Sequence, residues 1–248
     1  TSIAYCRDPT RRRADPEGPV VHPGPLAAAT ARYRRVQEVL MRLWSNDFSD
    51  GDRIPGEFAF GLPDHDAHVV FGPNRSPHLA WSGVPERAKS LALIVHDRDA
   101  PTRPDDVNQE DREVPADLPR ADFFHWLLID LAPDVTELAA GVFSSGVVPH
   151  GKKDADGPLG TRQGVNDYTS WFAGDADMDG DYVGYDGPCP PWNDSLIHHY
   201  VFTLFALDVA RLSLPGRFVG SEARAAIKDH VLAEASLVAT YTLSQRLI

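Results

Sequence analysis

From residue 48 onward the chain is written in short apolar runs separated by Gly, Pro, Asp and Asn, the punctuation of strands and turns rather than of long helices. Runs at 58–60, 68–71 and 78–81 predict short strands of a β domain. Residues 91–95 are continuously apolar, which fits a core strand, and they lead directly into His96, Asp97, Arg98, Asp99, Ala100 and Pro101. In 123–131, Phe123, His125, Leu127 and Ile129 alternate with Phe124, Trp126, Leu128 and Asp130, the period of a second strong strand. The densest β-branched and aromatic run is 197–207, where His198, Tyr200, Phe202 and Leu204 share one face and His199, Val201, Thr203 and Phe205 the other. Residues 237–243 alternate like a closing strand.

Helical spacing is confined to a few places. Residues 27–44 put Tyr33, Val36, Leu40 and Leu43 near one face and predict a packing helix. Residues 221–230 predict another, with Ser221 as N-cap and Glu222 in the first turn, and 136–143 predict a short turn of helix. Residues 1–26, rich in Pro, Arg and small side chains without periodicity, read as a flexible arm. The domain organisation expected is therefore one mostly β domain over 27–248 preceded by that arm.

Composition narrows the partners. A length of 248 residues is ample for one large core, and a net charge of −12 argues against nucleic acid, which is bound through basic stripes. The two cysteines, Cys6 and Cys189, form neither a CxxC pair nor a zinc knuckle. No apolar run approaches the roughly 20 residues of a membrane helix, and the N-terminus lacks an apolar signal region, so the expected location is cytoplasmic.

Common catalytic signatures are missing: there is no phosphate-binding P-loop, no G-x-S-x-G elbow, no H-E-x-x-H and no G-x-G-x-x-G. What remains is polar chemistry at strand ends. Asp97 follows one predicted strand, His125 begins another, and His198 and Tyr200 open a third behind the rigid loop that carries Tyr185, Gly187, Cys189 and Pro191. Imidazoles and phenols donate hydrogen bonds, and a Gly-containing loop adds backbone N–H groups, a set that suits a small oxyanion. A carboxylate beside a His favours its charged form, so Asp97 strengthens a cationic donor. The same Asp97, His125 and His198 would also be chemically sufficient as three zinc ligands of a metal-dependent hydrolase, the alternative reading. Separately, Asp175, Asp177, Asp179, Gly180 and Asp181 reproduce the opening of a calcium loop whose closing ligand would be Asp186, in place of the usual Glu.

The ordered motifs DRDAP at 97–101, His125 in FFHW and YDGPCPP followed by HHY resemble the phosphatidylethanolamine-binding protein family, in its bacterial Raf kinase inhibitor-like branch. The likeness extends from NDFSDGDRIP and SPHLAWSGVP to the C-terminal helix and strand, about four fifths of the chain. It implies a single domain built on two antiparallel β-sheets with peripheral helices, and an anion pocket lined by Asp97, His125, Tyr185, Gly187, Cys189, Pro191, His198 and Tyr200. It further implies a non-enzymatic, cofactor-free binder of phosphate or a phosphorylated head group, with regulation of a kinase or protease in some members and homodimers in the bacterial branch. Three features depart from the family pattern. Arg98 stands where the family usually has Pro, the connection 192–197 is one residue longer, and the loops 102–120 and 146–182 are enlarged. The longer connection leaves either His198 or His199 for the pocket, and His198 is favoured because it shares a face with Tyr200.

Overall fold

The structure, a computed structural model, describes residues 40–248; the predicted arm and most of the predicted 27–44 helix lie outside the described residues. In chain order the strands are β1 (Arg42–Trp44), β2 (Gly61–Asp64), β3 (His68–Phe71), β4 (Leu79–Ser82), β5 (Ser90–Pro101), β6 (Arg120–Leu131), β7 (Glu137–Leu138), β8 (Arg162–Gln163), β9 (His198–Leu207) and β10 (Val231–Tyr241). Two short α-helices, α1 (Tyr168–Trp171) and α2 (Gly220–Ile227), complete the set. The fold is mostly β, as the patterning predicts. A five-stranded antiparallel sheet, β10-β9-β5-β6-β8, faces a three-stranded one, β1-β4-β7, and β2-β3 forms a separate ribbon.

Strand β5 is central and buried on both sides, which explains its unbroken apolar run. Leu91, Leu93 and Val95 join Trp126, Leu128, Phe202 and Leu204 in the core shared with the three-stranded sheet, where Leu43, Leu79 and Trp81 pack. Ala92 and Ile94 point the other way, into a second cluster with Phe124, Leu127, Ile129, Phe218 and the helix residues Ala223 and Ile227. Burying each large apolar side chain contributes ~1.5–3 kcal/mol, so the two-sided strand anchors the domain.

Several local expectations are corrected. Arg42–Trp44 does not end a helix; it pairs with β4, Leu43 opposite Trp81, because a sheet neighbour satisfies its amides and buries Leu43 alone of the three. Residues 58–60 are not a strand: Gly56–Phe58 is a turn of 3-10 helix. Residues 136–143 form no helical turn, since Glu137–Leu138 adds to the edge of β4. Strand β5 continues through Asp97 to Pro101 instead of stopping at Val95. Helix α2 starts one residue before Ser221, and the Glu222 carboxylate accepts the Val219 N–H at 3.0 Å, capping it from within the first turn.

Strict alternation also fails in β6, at the position that matters most. Val95 pairs with Trp126 and His96 with Phe124, so His125 is an extra residue, a β-bulge. Phe124, Leu127 and Ile129 therefore lie on the α2 side, whereas Trp126 and Leu128 lie on the opposite side. A second shift falls between Asp97 and Ala100, where β5 carries the surplus residue. Two bulges thus sit at the same end of the central sheet, on neighbouring strands, where they bend the strands and re-aim side chains.

Candidate functional site

At that end lies a cleft of about 960 Å³. Its floor is Asp97 from β5, His125 from the β6 bulge, and His198 and Tyr200 from β9. Asp97 is the register partner of Tyr200, and the His125 and Tyr200 rings meet edge to face at 5.1 Å. The walls come from the Cys189–Pro191 loop, the β2-β3 ribbon, residues 100–108 and α1 with its flank.

His198 is held between two carboxylates. Its Nδ1 donates to Asp97 Oδ2 at 2.6 Å and its Nε2 to Asp194 Oδ2 at 3.0 Å. Arg120 closes the row with a fork on both Asp194 oxygens, at 2.6 and 3.0 Å. Burial opposes the charge on this ring, but Asp97 and Asp194 together outweigh it and push its pKa up to about 9. Burial also works against the Asp194 anion, yet the hydrogen bonds from His198 and Arg120 hold its pKa below the ordinary value. Two carboxylates and two cations balance, so the row is nearly neutral as a whole. The neighbouring His199 turns away and bonds Asp99 Oδ2 at 2.8 Å, so of the two candidates His198 is the one at the cleft.

His125 is treated in the opposite manner. Its Nδ1 lies 2.8 Å from the Asp186 carbonyl, which can only accept, so the ring proton is assigned to Nδ1. Burial, against weaker support from Asp97, pushes the ring down to about 4. The neutral ring therefore has a lone pair on Nε2, which makes no hydrogen bond among the described residues. The Tyr200 hydroxyl, in a side chain only 1 % exposed, likewise has no partner among the described residues. A buried hydroxyl without a partner is costly unless something comes to meet it, and it adjoins the His125 ring on the same floor.

Cys189 and Pro191 line the cleft as the motifs imply, but Tyr185 and Gly187 do not. Tyr185 is a core residue: its hydroxyl donates to the Phe58 carbonyl at 2.6 Å and its ring packs against Trp126. Gly187 serves close approach, since a Cβ there would stand 1.9 Å from the Phe58 oxygen. Its N–H donates to Asn74 Oδ1 at 2.8 Å and its carbonyl accepts from the Tyr168 hydroxyl at 2.8 Å, which leaves it no amide to offer a ligand. Both residues brace the loop that carries Cys189.

Asp186 is the keystone of that brace. Its buried carboxylate accepts from Asn74 at 2.7 Å, from Lys152 at 2.8 Å and from Asn166 at 2.8 Å, while its backbone N–H bonds the His125 carbonyl at 3.0 Å. This overturns the calcium loop: the intended closing ligand faces inward to Lys152 rather than toward Asp175, Asp177, Asp179 and Asp181. Asp175 Oδ1 instead accepts the N–H groups of Asp177 and Met178, and Asp181 pairs with Arg217. The zinc arrangement fares no better geometrically, because both His198 nitrogens are turned to carboxylates. Among the described residues no group of three or more His, Cys, Asp or Glu side chains is placed to hold a metal ion.

Much of the wall was not foreseeable residue by residue. Phe60, Val69–Phe71, Tyr168, Trp171 and Phe172 are brought to the cleft by the ribbon and α1. The only hint is a cluster of aromatics, YTSWF, inside an otherwise polar, Gly-rich stretch. Asp194, Arg120 and Lys152 carry no signal at all, since each acts through a partner distant in sequence or hidden in a loop.

An antiparallel sandwich with a largely apolar cleft around a few convergent polar groups at the end of its central sheet has the form of a small-ligand site. The model of the phosphatidylethanolamine-binding protein family matches residues 44–242, and the chain belongs to that family. The chain is 32% identical over 202 residues to the UPF0098 protein YbhB of Escherichia coli, covering 82% of this chain and all of that protein. It is 33% identical over 201 residues to a UPF0098 protein of Methanothermobacter thermautotrophicus, covering 81% and 98%. Among solved structures it is similar to E. coli YbcL, described as a member of the mammalian PEBP family, with a TM-score of 0.58, 26% identity and coverage of 82% and 98%. The homolog CT736 of Chlamydia trachomatis gives a TM-score of 0.53 at 31% identity, covering 82% and 97%. Among the described residues no helix is long and apolar enough to cross a membrane.

Proposed function

We propose that the cleft binds a phosphate-bearing small molecule and holds it without acting on it chemically. The observation that carries this reading is the buried Tyr200 hydroxyl, without a partner among the described residues and edge to face with the His125 ring on the same floor. The hydroxyl donates to a phosphate oxygen. Nε2, with its lone pair, accepts the acid proton of a phosphate monoanion, or shares it as imidazolium against the dianion. Asp97 does not repel the guest strongly, because His198 lies 2.6 Å from it as a counter-ion. Cys189, the one thiol in the wall, has its pKa pushed up to about 12 by burial and is held protonated, which favours binding over covalent chemistry at that side chain.

Titration calorimetry with inorganic phosphate tests the reading. One proton must be shared at Nε2, so affinity should fall as pH rises through the second phosphate pKa, by about tenfold per unit above it. Tyr200→Phe should weaken binding by about tenfold or more, the worth of one hydrogen bond to a charged group. Affinity that is flat with pH and indifferent to Tyr200→Phe overturns the site as described.

A further inference from the structure

The β2-β3 ribbon belongs to neither sheet, yet Val69, Val70 and Phe71 make one side of the cleft. A two-stranded ribbon is marginal in water by itself, so what holds it decides whether that side stays closed. Its base is pinned. The Phe60 and Gly61 N–H groups both donate to the Pro188 carbonyl, at 3.0 and 3.1 Å, and the Gly72 N–H donates to the Phe60 carbonyl at 2.7 Å. The Tyr241 hydroxyl donates to the Gly61 carbonyl at 2.9 Å, and Leu62 and Val69 pack against the core.

The far end is held differently. In the turn, Asp64 accepts the N–H groups of Asp66 and Ala67, which ties the turn only to itself. Among the described residues, the hydrogen bonds and ring contacts that join 64–68 to the rest of the molecule are those of His68. Its ring stacks on Trp192 at 3.9 Å and 10°, and its Nε2 lies 2.8 Å from Glu110 Oε1. The backbone of His68 has a φ of 62°, the left-handed region that favours Gly at the end of a short hairpin loop. A His kept there costs backbone strain, which the stack and the Glu110 contact offset.

What His68 grips is fixed in place. The Trp192 N–H donates to Asn108 Oδ1 at 3.2 Å and the Asn108 N–H to Asn193 Oδ1 at 2.9 Å. Asn193 Nδ2 in turn faces the carbonyls of Asp106, Gln109 and Arg112, at 2.8, 3.2 and 3.0 Å. These bonds stitch the 102–120 loop and the 192–197 connection into one post.

We propose that the ribbon is a hinged cover over one side of the cleft, bending above its pinned base, and that His68 is the latch that holds it shut against Trp192 and Glu110. One side chain at the tip lets the cover lift with both sheets intact. Lifting uncovers Cys189, which lies under the ribbon base: a Cβ on Gly61 would stand 2.5 Å from its Sγ. The latch rests on the cleft being a binding site, not on what it binds.

The test is the rate at which N-ethylmaleimide labels Cys189 at constant pH. The full chain with Cys6→Ser keeps Cys189 as its one thiol, so labelling counts openings of the cover. His68→Ala should speed labelling about tenfold, through loss of a ring stack together with a partly exposed ion pair. Glu110→Gln should speed it about two- to threefold, and Trp192→Phe, which keeps a ring to stack on, should stay within about twofold. The urea midpoint of each variant should match that of the parent, because both sheets are untouched. Unchanged labelling in His68→Ala overturns the latch. So does faster labelling matched by an equal loss of global stability, which would mean that the thiol is reached by unfolding. No phosphate is present, so either failure leaves the head-group reading standing.

Discussion

The cleft floor is supported from two sides by buried polar clusters that treat the same residue type in opposite ways. On the β9 side, His198 is pinned between Asp97 and Asp194 and kept charged. On the loop side, His125 leans on a backbone carbonyl of Asp186, whose charge is spent on Lys152, and is kept neutral. An imidazole at a strand end has no fixed character: two hydrogen-bonded carboxylates hold one charged, and burial keeps the other neutral despite its bond to the Asp186 carbonyl. The pairing gives one floor both a fixed counter-ion and a free lone pair.

The strongest way to break this contrast is to remove the support on the loop side. Lys152→Ala leaves the Asp186 carboxylate buried without its cation, and urea unfolding should show a loss of about 3–5 kcal/mol. Asp186→Asn removes the anion and turns one acceptor oxygen into a donor facing Asn74, Lys152 or Asn166, so its cost should be similar. A loss under about 1 kcal/mol in either variant would mean that the buried pair does not brace the loop.

Next in size are the pH windows, which run in opposite directions. The folded-state pKa of His198 is raised, so its contribution to stability is complete below the unfolded value near 6.5 and is lost as pH rises to about 9. His125 is depressed, so its contribution is complete above about 6.5 and is lost as pH falls to about 4. Each is worth up to ~3 kcal/mol by linkage. Unfolding free energies measured from pH 4 to 9.5 should fall at both ends; His198→Gln should flatten the alkaline limb alone and His125→Gln the acid limb alone. A single variant that flattens both would show the clusters to be one unit.

A smaller effect comes from Arg120→Lys, which keeps the charge but loses the fork on Asp194. It should cost ~1–2 kcal/mol and lower the alkaline midpoint, because Asp194 then holds His198 less firmly. Smallest of all is His199→Ala, next in sequence to His198 but half-exposed against Asp99, where less than about 1 kcal/mol is expected. A larger loss there would mean that the two histidines share one network after all.

Apolar patterning located β5 by its unbroken run, and β6, β9 and the end of β10 by alternation, because burial on one or both faces is written into consecutive residues. It failed at Arg42–Trp44, at Glu137–Leu138 and at His125, where a neighbour's register decides the conformation. Tyr185 and Gly187 show the same limit in the site: a residue that touches the ligand and one that braces the loop behind it look alike in a motif.

Read alone, the chain establishes a mostly β domain, the strand ends that hold Asp97, His125, His198 and Tyr200, and the family they belong to, all consequences of local periodicity and short motifs. Folding in three dimensions decided which imidazole is held charged, why Asp186 turns to Lys152 and away from the acidic loop, and which aromatic rings wall the cleft. Those outcomes depend on burial and on partners dozens of residues away, and neither is encoded in any one stretch of chain.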